Sequence, residues 1–195
     1  MAKYPVNLLA LQTELGTMKT RLYKNEHTGL PMILNYEIDV PLQEFNSGVE
    51  YEIQPVKTGF VLDCIPLPIQ DWRMLTNQYF SFNRTYYHGG LSVGNAHNPV
   101  FIDSLKIRRT ELGAFVIDCS LLCDFEFQSQ WESEEIRFNA DIVFKGLEID
   151  SRDVNIDLTI KEVAREFLAH YVTIDGYILS PIENGVYFIF PPNLE

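Results

Sequence analysis

The chain has 195 residues, of which 46% are hydrophobic and 13% aromatic, a composition typical of one packed globular domain spanning residues 1–195 and unlike that of a disordered chain. Its formal charge of −12 disfavours nucleic acid as a partner, because a negative surface repels the phosphate backbone. The same charge favours a protein partner with a basic patch.

The first segment, residues 7–22, shows a helical spacing of apolar residues. Steps of three and four residues separate Leu8, Leu11, Leu15, Met18 and Leu22. Gly16 interrupts this face and costs a helix about 1 kcal/mol relative to alanine. Residues 17–24 also alternate as a strand does. The pattern therefore predicts either an N-terminal helix or a helix followed by a strand.

From Leu30 onward, short apolar runs are separated by turn residues, which predicts antiparallel sheets arranged as a sandwich or a partly open barrel. The predicted strands lie at 32–40, 49–53, 60–67, 78–82, 100–107, 114–127, 136–144, 154–158, 176–180 and 186–190.

Residues 115–127 alternate clearly enough to assign two faces. One face is predicted to be core and contains Phe115, Ile117, Cys119, Leu121, Cys123, Phe125 and Phe127. The opposite, mostly solvated face contains Val116, Asp118, Ser120, Leu122, Asp124 and Glu126. The next strand is predicted to bury Ile136, Phe138, Ala140, Ile142 and Phe144.

One amphipathic helix is predicted near the C-terminus, at about 160–171. Thr159 and Glu162 have the spacing of a capping box, and apolar residues then follow the helical period. Combined with the strands, this helix predicts an α+β fold that is rich in β-structure.

Two nearly identical strings, Phe-Val-Leu-Asp-Cys at 60–64 and Phe-Val-Ile-Asp-Cys at 115–119, lie within similar segments at about 49–68 and 103–123. Each segment is typical of a β-hairpin. Duplication of a hairpin would give two similar β-layers, whereas convergence of two buried strands would explain the same letters. Either origin places the cysteines in the core, where unpaired cysteine is common.

Residues 83–99 have neither a strand nor a helix period and are predicted to form a long loop. As a recognition surface, this loop would offer rigid contact area from Tyr86 and Tyr87 and hydrogen bonds from His88, Asn95 and His97. The alternative is a structural loop whose glycines serve turn geometry.

Gly90-Leu91-Ser92-Val93-Gly94 matches the nucleophile elbow of hydrolases, with His97 or His170 as base and Asp103 as acid. The motif requires a helix after the serine, which Pro99 disfavours. We therefore predict no catalytic site, with a hydrolase that uses the 83–99 loop as the weaker alternative.

Acidic side chains are the other candidate contacts for a partner. They are Asp118, Asp124, Glu126, Glu132, Glu134 and Glu135. A solvated strand face would have the same composition. The pattern of a calcium-binding loop is missing from the sequence, and neither a metal nor another cofactor is predicted.

The chain contains three cysteines without the spacing of a disulfide scaffold, which predicts a cytoplasmic location. Its apolar runs are too short to span a membrane, so no membrane partner is predicted.

The sequence favours a non-enzymatic, acidic protein-binding module, such as an inhibitor, an immunity protein or an assembly subunit. The first alternative is a β-barrel or sandwich that binds a small hydrophobic ligand in an interior lined by Phe and Tyr.

Overall fold

The computed structural model describes residues 10–25, 30–47, 53–86, 88–93, 96–110, 114–126, 132–150, 166, 168–173 and 187–190. The strands are β1 (Gly16–Asn25), β2 (Leu30–Pro41), β3 (Gly59–Ile65), β4 (Gln78–Ser81), β5 (Gly89–Val93), β6 (Ala96–Arg109), β7 (Phe115–Cys123), β8 (Glu134–Asp150) and β9 (Tyr187–Phe190). A short 3-10 helix, Trp72–Met74, precedes β4.

Seven of these strands close into a β-barrel. Neighbours follow the order β1-β2-β3-β5-β6-β7-β8, and β8 pairs with β1 to complete the ring. Outside the ring, β4 pairs with β6, and β9 pairs with β8. The pairings from β3–β5 to β8–β9 are antiparallel. The predicted α+β class, with a sandwich or a partly open barrel, is therefore wrong: strands make up 62% of a nearly all-β structure.

A helix over the whole of residues 7–22 is wrong, because β1 begins at Gly16, and the alternative in which residues 17–24 form a strand is confirmed. Gly16, Met18, Thr20 and Leu22 are buried, and the residues between them are partly exposed. Leu15, which belongs to the helical face in the sequence, is 62% exposed. The two-residue period in the second half of the segment therefore decides the conformation. Residues 1–9 lie outside the described part of the chain.

The predicted C-terminal helix, about 160–171, is wrong as an element of the fold. Residues 160–165 and 167 lie outside the described residues. In the part that is described, Glu166 and Leu168 have helical backbone and residues 169–171 form a turn, in which the N–H groups of Tyr171 and Val172 donate to the Leu168 carbonyl at 2.9 and 3.0 Å. The capping box of Thr159 and Glu162 lies outside the described residues as well.

The chain divides into two compact units. The first comprises Met1–Thr17, Ile38–Cys64 and Thr76–Val143, and the second comprises Met18–Glu37, Ile65–Leu75 and Phe144–Glu195. The description of residues 1–195 as one domain with two similar layers stays a prediction.

Aromatic side chains fill the interior of the first unit. Phe60 from β3 stacks on Phe138 from β8, with ring centroids 4.9 Å apart and planes inclined by 7°. Along β7, every second residue from Phe115 to Cys123 is buried, as the alternation predicted. Phe125 is buried too, and the predicted core residue Phe127 lies outside the described part of the chain.

The second unit has its own aromatic contacts. Trp72 stacks on Phe144 with a centroid separation of 5.2 Å. The Tyr36 hydroxyl donates to the Ile69 carbonyl at 2.9 Å, and burial raises the pKa of this phenol. These contacts tie the 65–75 connection to β2 and β8 within the unit.

The two similar segments adopt different structures. The segment at about 103–123 forms the predicted hairpin, β6–β7, with a register shift between Ile102 and Ser104. In the segment at about 49–68, β3 pairs instead with β2 and β5. Residues 49–52 lie outside the described part, and 53–58 contribute only the isolated bridge of Val56 with Phe45. The hairpin prediction therefore holds for the second segment alone.

The cysteines of the two repeated strings also differ. Cys119 is buried as predicted, and burial raises the pKa of its thiol to about 12. Cys64 is exposed, contrary to the prediction. Its φ of 52° interrupts the alternation of β3, so that Ile65 rather than Cys64 is the next buried residue after Leu62.

Replacement of Phe60 by alanine should lower the free energy of unfolding by about 3–5 kcal/mol, because it removes a fully buried ring and leaves a cavity beside Phe138. Urea unfolding of the purified variant measures this loss. The matched control is Val61→Ala, whose side chain is 45% exposed on the opposite face of β3. Equal losses in the two variants would contradict the assignment of inner and outer faces.

Candidate functional site

The predicted long loop, 83–99, is largely strand. Gly89–Val93 forms β5, which pairs with β3 and β6, and β6 begins at Ala96. Its glycines are required by close backbone contacts: Gly89 has a φ of 106°, and a side chain there would collide with the Val61 carbonyl. Because glycine has no side chain, the two glycines that begin β5 contribute nothing to an alternation of apolar and polar side chains, and the sequence therefore does not predict this strand.

His88 contacts the protein's own interior and is only 7% exposed. Its backbone N–H donates to the Val100 carbonyl at 2.7 Å, and its Nδ1 accepts the Ile102 N–H at 3.4 Å. Burial lowers the pKa of the imidazole, and the charge of Asp63 opposes that shift only in part. His88 is therefore placed to stabilise the β5–β6 junction in its neutral form.

The remaining loop candidates have separate positions. Tyr86 is 74% exposed. His97 is exposed on β6, opposite Ser92 of β5, and its ring lies over Gly90. Tyr87 and Asn95 lie outside the described residues.

Ser92 does not have the geometry of a nucleophile elbow. It sits within an antiparallel strand, and the following segment is strand β6 rather than a helix. Asp103, the suggested acid, is bound to Arg84. The absence of enzymatic activity nevertheless stays a prediction.

Arg84 joins carboxylates from two strands. Its guanidinium donates to both oxygens of Asp103 at 2.6 and 2.8 Å, and to Glu135 Oε1 at 3.0 Å. The bonds from Arg84 hold the pKa of the Asp103 carboxyl below its usual value. Because Asp103 lies on β6 and Glu135 on β8, this arginine fixes the segment that carries Tyr86 against the sheet.

Asp118 is also engaged internally. Arg108 Nε donates to Asp118 Oδ2 at 3.1 Å, and Asn139 Nδ2 donates to Oδ1. Partial burial would raise the pKa of Asp118, but the bonds from Asn139 and Arg108 keep it below its usual value. The predicted contact residue Asp118 is therefore ionised and already compensated by a cation.

The other acidic candidates cluster at the β7–β8 connection. Asp124 Oδ1 accepts the Glu126 N–H and the Ser133 hydroxyl, each at 3.0 Å. Glu132 is exposed and Glu134 half-buried, and neither forms an ion pair with a described residue.

Sequence reasoning missed a concavity of about 590 Å³, here termed the outer groove. The groove is lined by Tyr79, Ser104, Lys106, Asp118, Cys119, Ser120, Arg137, Phe138 and Asn139. Cross-strand neighbours bring these residues together: Lys106 lies opposite both Tyr79 of β4 and Asp118 of β7, and Ser120 lies opposite Arg137 of β8. The polar residues at alternate positions of β6 are the feature of the sequence that points to this groove. The pairing of β4 with β6, however, cannot be predicted from the sequence.

No family model, curated protein or solved structure matches the chain. Within the described ranges, the structure contains no helix that is long and apolar enough to cross a membrane. Among the same residues, no group of three or more His, Cys, Asp or Glu side chains is arranged to hold a metal ion.

The burial of His88 predicts a pH-dependent stability. Its pKa is lowered in the folded state, so the unfolded chain binds more protons between the ordinary histidine pKa of about 6.5 and the lowered value. Stability should therefore fall as the pH drops below about 6.5, by at most about 1.4 kcal/mol per pH unit for one proton. Urea unfolding at pH 7.5, 6.5 and 5.5 would measure this loss.

The same series in His88→Gln should show a smaller loss, since glutamine retains an acceptor but does not titrate. His170→Gln, which removes an exposed histidine, should behave as the wild type does. Parallel losses in all three proteins would contradict the assigned role of His88.

Proposed function

We propose that this chain is a non-enzymatic module that binds a protein partner over the outer groove and the adjoining Tyr86 segment. The observation that carries this proposal is the groove itself, which combines polar and apolar side chains and is lined by Tyr79, a tyrosine that is 64% exposed; Tyr86 is 74% exposed. Tyrosine is enriched among the residues that contribute most to protein interfaces. A polar surface with a few aromatic anchors is the usual composition of such interfaces.

The packing of the described interior supports an outer binding surface rather than an interior ligand site. Even an eight-stranded barrel is only wide enough for its own side chains or one small ligand. Here the Phe60–Phe138 stack, together with Phe115 and Ile117, occupies the described interior of the first unit. Most residues that line the outer groove, such as Lys106, Asp118 and Arg137, alternate with buried neighbours, and the buried Cys119 and the half-buried Phe138 complete its lining.

The charge of the chain supports a partner with a basic patch. At −12, the chain attracts such a surface over a range that salt shortens to about 10 Å at 0.1 M. Asp118 and Glu135 already bind arginines of the chain, so the contact with basic residues falls mainly to Glu132 and Glu134. An inhibitor, an immunity protein and an assembly subunit would all use a surface of this kind.

A cytoplasmic location is part of the proposal. The three cysteines form no disulfide, which fits a reducing compartment. The buried thiols of Cys119 and Cys123 have raised pKa values because burial disfavours the thiolate, so both are poorly reactive.

The test is capture of partners from a lysate at 50 and 300 mM salt by immobilised wild type, Tyr79→Ala and Met74→Ala. We expect one protein to bind the wild type, less at 300 mM salt, and to lose at least about tenfold in affinity with Tyr79→Ala. Met74, also 64% exposed but in the second unit, is the matched control and should be neutral.

Capture that is equal in wild type and Tyr79→Ala would contradict the proposed surface, and no capture at 50 mM salt would contradict the proposed function. Thermal unfolding of each variant verifies that a loss of capture does not come from a loss of folding.

A further inference from the structure

The outer groove presents two cations that lack an ion-pair partner among the described residues. Four cationic residues lie on or beside the part of β6 to β8 that surrounds the groove: Arg84, Lys106, Arg108 and Arg137. Arg84 binds Asp103 and Glu135, and Arg108 binds Asp118. Lys106 and Arg137 form no ion pair within the described ranges, and both line the groove.

The single carboxylate that lines the groove, Asp118, forms its ion pair with Arg108, although the charge of Lys106 also acts on it. Both Asp118 oxygens accept bonds from Arg108, and one also accepts a bond from Asn139. The charge of Asp118 is thereby matched by Arg108, which does not line the groove. The four cations Arg84, Lys106, Arg108 and Arg137 face three carboxylates, Asp103, Asp118 and Glu135, which leaves a local excess of one positive charge.

Small donors lie between the two cations. Ser104 of β6 faces Ser120 of β7, which in turn faces Arg137 of β8. Lys106 and Arg137 are two strand spacings apart and displaced by two residues, so their Cα atoms are separated by about 12 Å. Both side chains are long enough to converge above Ser120, whose hydroxyl is available as a third donor. This arrangement is complementary to a single oxyanion.

We propose that the outer groove binds one carboxylate, contributed by an Asp or Glu side chain of the partner, between Lys106 and Arg137. This inference rests on the proposed function and adds an acidic anchor to a partner surface that is otherwise basic. A planar guanidinium matches a carboxylate with two parallel hydrogen bonds. A phosphate dianion can also accept two hydrogen bonds from the guanidinium. The net charge of −12, however, repels the two negative charges of phosphate about twice as strongly as the single charge of a carboxylate.

The experiment uses the full-length protein and capped peptides instead of the unidentified partner. Acetyl-Gly-Glu-Gly-amide, its Gln counterpart and inorganic phosphate are each titrated at 50 mM salt into ¹⁵N-labelled protein, followed by NMR. The Glu peptide should shift the Ser104, Ser120 and Arg137 Nε–H signals saturably and bind at least about tenfold more tightly than the Gln peptide. Phosphate should bind more weakly than the Glu peptide.

Three variants with the same loss of one positive charge identify the site. Lys106→Gln and Arg137→Gln should each weaken binding of the Glu peptide at least about fivefold. Lys57→Gln removes an exposed cation that does not line the groove and should leave binding unchanged. Equal weakening by all three would show a general charge effect and overturn the site, as would equal affinity for the Glu and Gln peptides.

Tighter binding of phosphate than of the Glu peptide would overturn the carboxylate assignment. The peptide titration and the capture experiment can succeed or fail independently of each other. Saturable binding of the Glu peptide supports the groove site even if no partner is captured, whereas capture that depends on Tyr79 without peptide binding supports the proposed function and overturns the anchor.

Discussion

The pairing of β1 with β8 is the constraint on which the rest of the structure depends. This pairing turns a sheet of seven strands into a ring, so that each strand in the ring has a neighbour on both sides. In a closed ring, alternate residues of every strand are committed to the inside or the outside, and a slip of one residue would exchange them. The outer groove exists because β6, β7 and β8 keep matching registers, which align Lys106, Asp118 and Asn139 in one row.

Alternation was sufficient to predict the strands that carry the groove. In β7, the pattern from Phe115 to Cys123 alternates without interruption, and each predicted core position there is buried. β1 shows why the same reasoning fails elsewhere. Leu8, Leu11 and Leu15 fit a helical period, but Met18 and Leu22 fit both periods, and only tertiary pairing distinguishes the two. The pairing of β4 with β6 also cannot be predicted from the sequence, because the alternation in a short strand does not specify its partner or its register.

Local backbone geometry accounts for two further differences between sequence and structure. Cys64 and Cys119 end nearly identical strings, but a φ of 52° at Cys64 takes its side chain out of the interior. The segment from Gly89 to Val93 was predicted to be loop because residues 83–99 show neither a strand nor a helix period. Gly89 is needed for the close approach of β5 to Val61, which is a property of the folded structure. Both cases depend on positive φ, which glycine adopts readily and which the letters around Cys64 do not indicate.

The acidic residues also show a difference between what the sequence suggests and what the structure makes available to a partner. A count of charges suggests that Asp118 and Glu135 are available to a basic partner, yet each binds an arginine from a neighbouring strand or segment. Pairing of this kind contributes little to stability at an exposed surface. Its consequence here is spatial: the carboxylates form their ion pairs with Arg84 and Arg108, and Lys106 and Arg137 line the groove without an ion pair among the described residues. The sign of the charge at a binding surface therefore follows from strand register, and a net charge of −12 is compatible with a locally cationic site.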